Sequence, residues 1–390
     1  MLHQKFKIVK LYKNQSILAL GAESAGNFSF FFNNEIYFSN DFGNLLIDEN
    51  FQKFKKSVFF YLKNKNIKPN IVLTDIHPLY KTTAWGEELA KKFKAKHIKV
   101  QHHLAHIFSA FGEKTIIENC KLKIENCIGI ACDGTGYGLD EKIWGGEVFK
   151  IQDLKIKNQN YKSKCKIKRI GCLENQTMIG GDLAIKEPAR MLISILNKIK
   201  ITNQNIKLKK NWIYEFIKKY YTRNQFELLY NQLQQNFNCQ ETSSTGRILD
   251  AVSILLEFCK NESNYKHEPI DLLEKNSSAP YLNLKPKLLK TNSLPIILST
   301  SHLFEYLIKN LHRDKKRLAA TAQLYIAQGL YQLGCKMSDV RCEIFFSGGI
   351  ANNKIISNYM ESKKVYVNKK IPRGDAGLSF GQIIYFLLNV

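Results

Sequence analysis

Residues 17–38 and 127–151 carry one pattern twice: a strand, a glycine-bearing turn and a return strand. In the first unit, apolar runs at 17–20 and 28–32 flank Gly21-Ala22-Glu23-Ser24-Ala25-Gly26-Asn27, and Asn33-Asn34 supplies a tight turn into Ile36-Tyr37-Phe38. In the second, the run 127–132 enters Asp133-Gly134-Thr135-Gly136-Tyr137-Gly138 and the chain returns over 143–151. Helical and buried-strand patterns follow each unit. A duplicated hairpin of this kind predicts an α/β protein with two related lobes facing a cleft.

The remaining elements fit that plan. After the first unit the spacing predicts a helix over 49–65, with Phe51, Phe54, Val58, Phe59 and Leu62 inward, then a buried strand at 71–75, a helix over 85–94 and a strand at 98–101. Residues 174–265 read as mostly helical, 262–298 as loop-rich, and helices over 301–311 and 315–333 lead to a strand at 342–346. The expected division is an N-terminal α/β lobe over 1–125, the start of the second lobe over 126–173, a helical insertion or cap over 174–298, and the rest of the second lobe over 299–390.

Composition narrows the class. A length of 390 residues with 44% hydrophobic content allows a sizeable core. No stretch approaches the roughly 20 apolar residues of a membrane span, and the opening Met1-Leu2-His3-Gln4-Lys5 has no signal-peptide core, so a cytoplasmic protein with no membrane partner is expected. The nine cysteines include no Cys-x-x-Cys pair and read as reduced, mostly buried thiols. A net charge of +24 could attract polyanions, but the lysines are spread over the whole chain, which favours a solvated basic surface over a nucleic-acid site.

Three of the nine histidines fall within Gln101-His102-His103-Leu104-Ala105-His106, after the strand at 98–101. On a helix, His102 and His106 share one face, so two neutral nitrogens could converge on a cation; a partly buried polar helix start is the alternative. The other ligands would come from carboxylates after strands. Asp133 opens a glycine-rich loop whose backbone could approach phosphate, and Asp375 sits in Pro372-Arg373-Gly374-Asp375-Ala376-Gly377. Two imidazoles and two carboxylates suit an Fe or Zn ion. Ser347-Gly348-Gly349 opens a stretch, 350–357, that reads as a helix, with Asn353 one turn in. Asp250 lies one turn into a capped helix start at Ser243-Ser244-Thr245-Gly246-Arg247, and Gly180-Gly181-Asp182 through Lys186-Glu187-Pro188-Ala189-Arg190 packs charge into a turn that a surface loop hardly needs.

These segments, with Leu18 to Glu23, Asp75-Ile76-His77-Pro78-Leu79-Tyr80 and Ile143-Trp144-Gly145-Gly146-Glu147, occur in the order found in the HypF family of hydrogenase-maturation carbamoyltransferases. The resemblance is to the catalytic C-terminal half of that family and covers residues 15–390. It implies a two-lobed fold of the actin, sugar kinase and Hsp-type ATPase superfamily. It also implies that His102, His106, Asp133 and Asp375 hold one Fe or Zn ion. ATP, AMP or carbamoyl-AMP would lie against Gly134, Thr135, Gly136, Tyr137, Gly138, Gly181, Asp182, Asp250, Ser347, Gly348, Gly349 and Asn353. Lys186 and Arg190 are the candidates for the carbamoyl or phosphate oxygens, and His103, behind the histidine pair, is the third catalytic candidate. The implied acceptor is the C-terminal cysteine of a HypE-like protein.

Two departures accompany the resemblance. Leu104 replaces the third histidine of the family's run, and Ser24-Ala25-Gly26 stands where a lysine usually precedes Asn27. No segment resembles the family's acylphosphatase-like, zinc-pair or adenylate-forming modules, so a separate carbamoyl-adenylate synthase is expected. A transferase acting on tRNA or a small-molecule hydroxyl, or a non-catalytic nucleotide-binding scaffold, are the competing readings.

Overall fold

The computed structural model describes residues 2–7, 15–118, 126–154, 165–199, 206–336 and 342–389. The first sheet is built from β1 (Leu2–Lys7), β2 (Ile17–Ala19), β3 (Ser29–Phe32), β4 (Glu35–Ser39), β5 (Ile71–Asp75) and β6 (Lys96–Val100). Asn33 and Asn34 adopt positive φ in the β3–β4 turn, as a two-residue hairpin loop requires. β2, β3 and β4 form an antiparallel meander. Helices α1 (Asp48–Asn64) and α2 (Lys81–Phe93) then return the chain, so β5 and β6 join parallel to β2. The spatial order is β1-β4-β3-β2-β5-β6. The edge strand β1 had no sequence signal strong enough to predict it.

From β6 the chain enters α3 (His102–Gly112) and then the second lobe, where β7 (Cys127–Tyr137), β8 (Ile143–Gln152) and β9 (Lys166–Leu173) repeat the antiparallel meander. The insertion contributes α4 (Leu183–Lys186), α5 (Ala189–Lys198), α6 (Ile206–Ile217), α7 (Arg223–Gln234), α8 (Thr245–Leu255) and α9 (Glu268–Lys275). It is less purely helical than expected. β10 (Gln176–Ile179) pairs with β11 (Cys239–Thr242), which touches β8, while β12 (Leu288–Leu289) and β13 (Ile296–Leu298) extend the sheet beyond β9. After α10 (Thr300–Lys309) and α11 (Lys315–Lys336), β14 (Glu343–Ser347) joins parallel to β7; α12 (Lys354–Ser362) follows, and β15 (Tyr366–Val367) lies parallel to β14. The orders β4-β3-β2-β5-β6 and β9-β8-β7-β14-β15 are the same path. The duplicated α/β lobes of the actin, sugar kinase and Hsp-type ATPase fold are therefore present.

The last helix, α13 (Leu378–Asn389), leaves the second lobe and packs against α3, β2, β3 and β5. The expected assignment of all of 299–390 to the second lobe thus gives way for α13. Ile107, Phe108, Phe380 and Ile383 from α3 and α13 share one buried core with Ile17 and Leu73 of the first sheet and Ala131 and Phe345 of the second. At roughly 1.5–3 kcal/mol for each large apolar side chain removed from water, this helix pair is a main joint between the lobes. Among the described residues no helix is long and apolar enough to cross a membrane.

Two local expectations are corrected. Residues 133–138 form no hairpin turn, because β7 runs on to Tyr137 and the reversal follows at 138–142. Cys132 pairs with Gly146 and Gly136 with Trp144, so Asp133, Gly134 and Thr135 bulge opposite Gly145 alone. Residues 350–357 are not one helix either: a 3₁₀ turn, Gly349–Asn352, ends at Asn353, whose side chain caps α12 by accepting from the Ile356 amide at 3.1 Å.

Candidate metal centre and its pocket

α3 starts directly at the end of the first sheet, which places its first turn at the junction of the lobes. Gln101 caps it, its Oε1 accepting from the Leu104 amide at 2.9 Å. Gln101 Nε2 donates to the Tyr137 carbonyl at 3.1 Å and to His103 Nδ1 at 2.9 Å, tying the helix to β7. With this start fixed, His102 and His106 fall one turn apart on the face turned to the second lobe, and their Nε2 atoms stand 3.2 Å from each other.

The carboxylates come from the other lobe and from the loop before α13. Asp133 lies in the β7 bulge, its Oδ2 at 3.2 Å from His102 Nε2 and 3.8 Å from His106 Nε2, while its Oδ1 accepts from the Gly349 amide at 2.9 Å. Asp375 places Oδ1 at 3.5 Å from His102 Nε2 and 3.4 Å from His106 Nε2, and its Oδ2 accepts from the Ser24 hydroxyl. One atom from each of the four residues lies within 4.8 Å of the others. This two-nitrogen, two-oxygen donor set fits a single Fe or Zn ion.

Asp75 completes the arrangement and was not predicted as a site residue. Its Oδ2 accepts a hydrogen bond from His102 Nδ1 at 2.7 Å and its Oδ1 accepts from the His77 amide at 2.9 Å, so the carboxylate is fixed at both oxygens. A carboxylate behind a ligating imidazole sets the tautomer and aims the opposite nitrogen. Burial disfavours the imidazolium of His102, yet Asp75, Asp133 and Asp375 outweigh it and hold its pKa well above the usual value. Burial raises the carboxyl pKa of Asp133 and Asp375, and the two histidines more than reverse this, leaving both below the ordinary range. The centre is thus built to hold positive charge. His103 is different: burial, then His102, push its pKa well down, and its Nε2 has no hydrogen-bond partner among the described residues.

Asp133 and Asp375 also line a cavity of about 680 Å³. Gly134, Thr135, Gly349 and Asn353 share its wall, with His267, Asp271 and Glu274 from the α9 region opposite. The other predicted contacts do not border it. Gly136 packs on His102 and His103, Gly138 on Trp144, and Gly348, at φ +114°, on the Cys132 backbone. Ser347 is buried and donates to Asn368 Oδ1 at 2.9 Å. Asp250 is wholly buried against Arg247 at 2.9 Å, with burial lifting its pKa to about 6. Gly181 lies near Asn238 and Gln240, and Arg190 is engaged by Glu187 at 2.8 Å. Tyr137, Asp182 and Lys186 also stand off the cavity wall; Asp182 instead lies within the electrostatic reach of His77. His267, a wall residue, had no sequence signal, since a lone histidine in a loop-rich stretch looks like any other.

Two duplicated α/β lobes, with four candidate ligands and a cavity between them, give a fold of the actin, sugar kinase and Hsp-type ATPase class. Comparison with known proteins narrows this. Residues 129–382 match the family described as "Carbamoyltransferase, Kae1-like Domain, second subdomain", and residues 12–113 match the "HypF Kae1-like domain". The chain belongs to the HypF family. It is 35% identical to a probable carbamoyltransferase HypF of Methanocaldococcus jannaschii, over 98% of this chain and 47% of that protein. It is 28% identical to the carbamoyltransferase HypF of Synechocystis, over 73% of this chain and 36% of the relative. A full-length HypF solved in a phosphate- and nucleotide-bound form superposes with a TM-score of 0.83 at 25% identity, over 98% of this chain and 47% of that one. HypF of T. kodakarensis gives a TM-score of 0.81 at 26% identity, over 98% and 49%. The chain spans about half the length of these relatives.

Proposed function

We propose that the chain is a HypF-type carbamoyltransferase unit that moves a carbamoyl group from carbamoyl-AMP to the C-terminal cysteine of a HypE-like protein. The observation that carries this reading is that two of the four candidate metal ligands, Asp133 and Asp375, also form the wall of the cavity beside Gly134 and Gly349. An anion in the cavity would therefore lie against the ligand set. That a full-length HypF relative binds phosphate and nucleotide agrees with a nucleotide ligand for this family.

His102, His106, Asp133 and Asp375 would hold the ion, with Asp75 orienting His102. A bound Fe or Zn ion would supply positive charge for the adenylate phosphate. Gly134 and Thr135, freed from the ladder by the β7 bulge, would let the phosphate approach the backbone, and Asn353, on the same wall, is held by donating from its side chain to Gln323 Oε1 at 2.6 Å. In the transfer the acceptor sulfur attacks the carbamoyl carbon, a C–S bond forms, the C–O bond to phosphate breaks, AMP departs and the thiol proton passes to solvent. The nucleophile is assigned to the partner. Burial pushes the thiols of Cys132 and Cys172 up to about 12, which leaves them un-ionised near neutrality. The supply of carbamoyl-AMP falls to a carbamoyl-adenylate synthase, and the HypF names of the relatives favour this acceptor over tRNA.

The test combines purified protein, zinc or ferrous iron, carbamoyl-AMP and a HypE-like peptide ending in cysteine. Mass spectrometry is expected to show carbamoyl on sulfur, with no product from His102→Ala. Absence of transfer by the wild-type chain at saturating metal refutes the reading.

A further inference from the structure

Glu113 is a fully buried carboxylate that the metal centre and the cavity leave unused. It lies where α3 widens into a π-helical turn, Glu113–Ile117. On a 3.6-residue repeat, positions 102, 106 and 113 share one face, so the face that presents the histidines ends in Glu113, about 10 Å beyond His106. Buried carboxylates need several donors, and Glu113 finds them in β15 and the loop that follows it. Its Oε1 accepts from the Lys369 amide at 2.6 Å, the Lys370 amide at 3.0 Å and the Tyr366 hydroxyl at 3.0 Å. Its Oε2 accepts from the Ile371 amide at 2.6 Å and the Lys370 amide at 3.0 Å.

That loop continues through Pro372 to Asp375. It returns along α3 from Glu113 to the histidines, and Asn368 ties it once more to the helix by donating to Ser109 Oγ at 3.2 Å. The carboxylate ligand Asp375 is thus measured off from the histidine helix by three consecutive amides bound to one side chain. Charge-assisted bonds of this kind are the strong class of hydrogen bond.

We propose that Glu113 is a positioning residue for the metal, setting the spacing between the His102–His106 pair and Asp375 and thereby the strength of ion binding. This rests on the metal reading given above. Gln at this position keeps one acceptor but turns an amide donor toward the Lys370 and Ile371 amides; Ala removes both acceptors. Residues that orient ligands without touching the ion commonly contribute 10–100-fold to metal affinity.

Zinc dissociation constants, measured on the metal-free full chain by competition with a chromophoric chelator, test it. Glu113→Gln is expected to weaken zinc binding at least 10-fold and Glu113→Ala more so. Ile213→Ala, a truncation in the core of the insertion, is expected to lower the melting temperature without moving the constant. If Glu113→Ala does not fold, Glu113→Gln decides. A Glu113→Gln constant within twofold of wild type overturns the proposal, and so does an equal weakening in Ile213→Ala, which would make the effect one of general stability. A wild-type chain that binds no zinc or iron overturns the metal reading itself, and this proposal with it.

Discussion

Gly136 has no room for a side chain: a Cβ there would stand 2.5 Å from His103 Cε1 and 2.7 Å from His102 Cδ2. Gly136→Ala must push His102 off its line between Asp75 and the centre. The expected result is a loss of about 1–3 kcal/mol of stability, the usual cost of overpacking, together with weaker zinc binding. A chemical-denaturation curve and a zinc titration on the same sample check both, and an unchanged zinc constant would contradict the geometry. The four ligand candidates could be read from the sequence because their chemistry is concentrated in residue type and spacing. Asp75 could not, since it ends a buried strand with no glycine-flanked loop to mark it, and only the pairing of β5 with β6 brings it to His102 Nδ1. Lys186, Arg190 and Asp250 show the converse, because charge beside glycine signals a special site but packing decides where a side chain points.

At the scale of elements, the crossing of α13 over α3 holds the centre together. A Cβ on Gly381 would lie 1.8 Å from the Ala105 carbonyl oxygen and 3.0 Å from the Ser109 amide, so the helices touch backbone to backbone. Gly381→Ala is expected to cost about 3 kcal/mol, the upper end for overpacking, because neither helix can yield without moving His106 or Asp375. A urea midpoint that stays at the wild-type value would show that the crossing tolerates more space than the contact allows. Most helices and long strands announced themselves by apolar period. The β7 bulge, the short strands β10 and β11 and the destination of α13 did not, since each is defined by its partner and not by its own residues.

At the scale of the whole molecule, imidazoles withdrawn wholly or partly from water set an acid limit on stability. Burial is the first cause lowering the pKa of His103, which is fully buried, and of His77, His97 and His302, which are half-buried. Below about pH 6.5 the unfolded chain takes up protons on these groups that the folded chain refuses, so their contribution is full above that pH and fades as pH falls toward the folded values. His102 has the opposite sign: its raised pKa stabilises fully below about 6.5 and fades as pH rises through the folded value. Lowering pH from 7.5 to 5.5 is therefore expected to reduce the urea midpoint of the metal-free protein, with at most about 1.4 kcal/mol per pH unit for each net proton. A flat or rising midpoint would mean that the imidazoles are already solvated in the fold. The duplicated lobes behind this common core were legible early, because one hairpin pattern occurs twice and each copy must bury its own face.

The division of the ligand set between lobes has a thermodynamic consequence. With the histidines on α3 of the first lobe and Asp133 on the second sheet, an ion held by all four candidate ligands would act as a clasp, and separating the lobes would break its coordination. Cleft closure and ion affinity would then be two readings of one equilibrium, and whatever draws the lobes together would tighten the ion by the same factor by which the ion favours the closed form. The centre would register the state of the whole cleft in the strength of its grip.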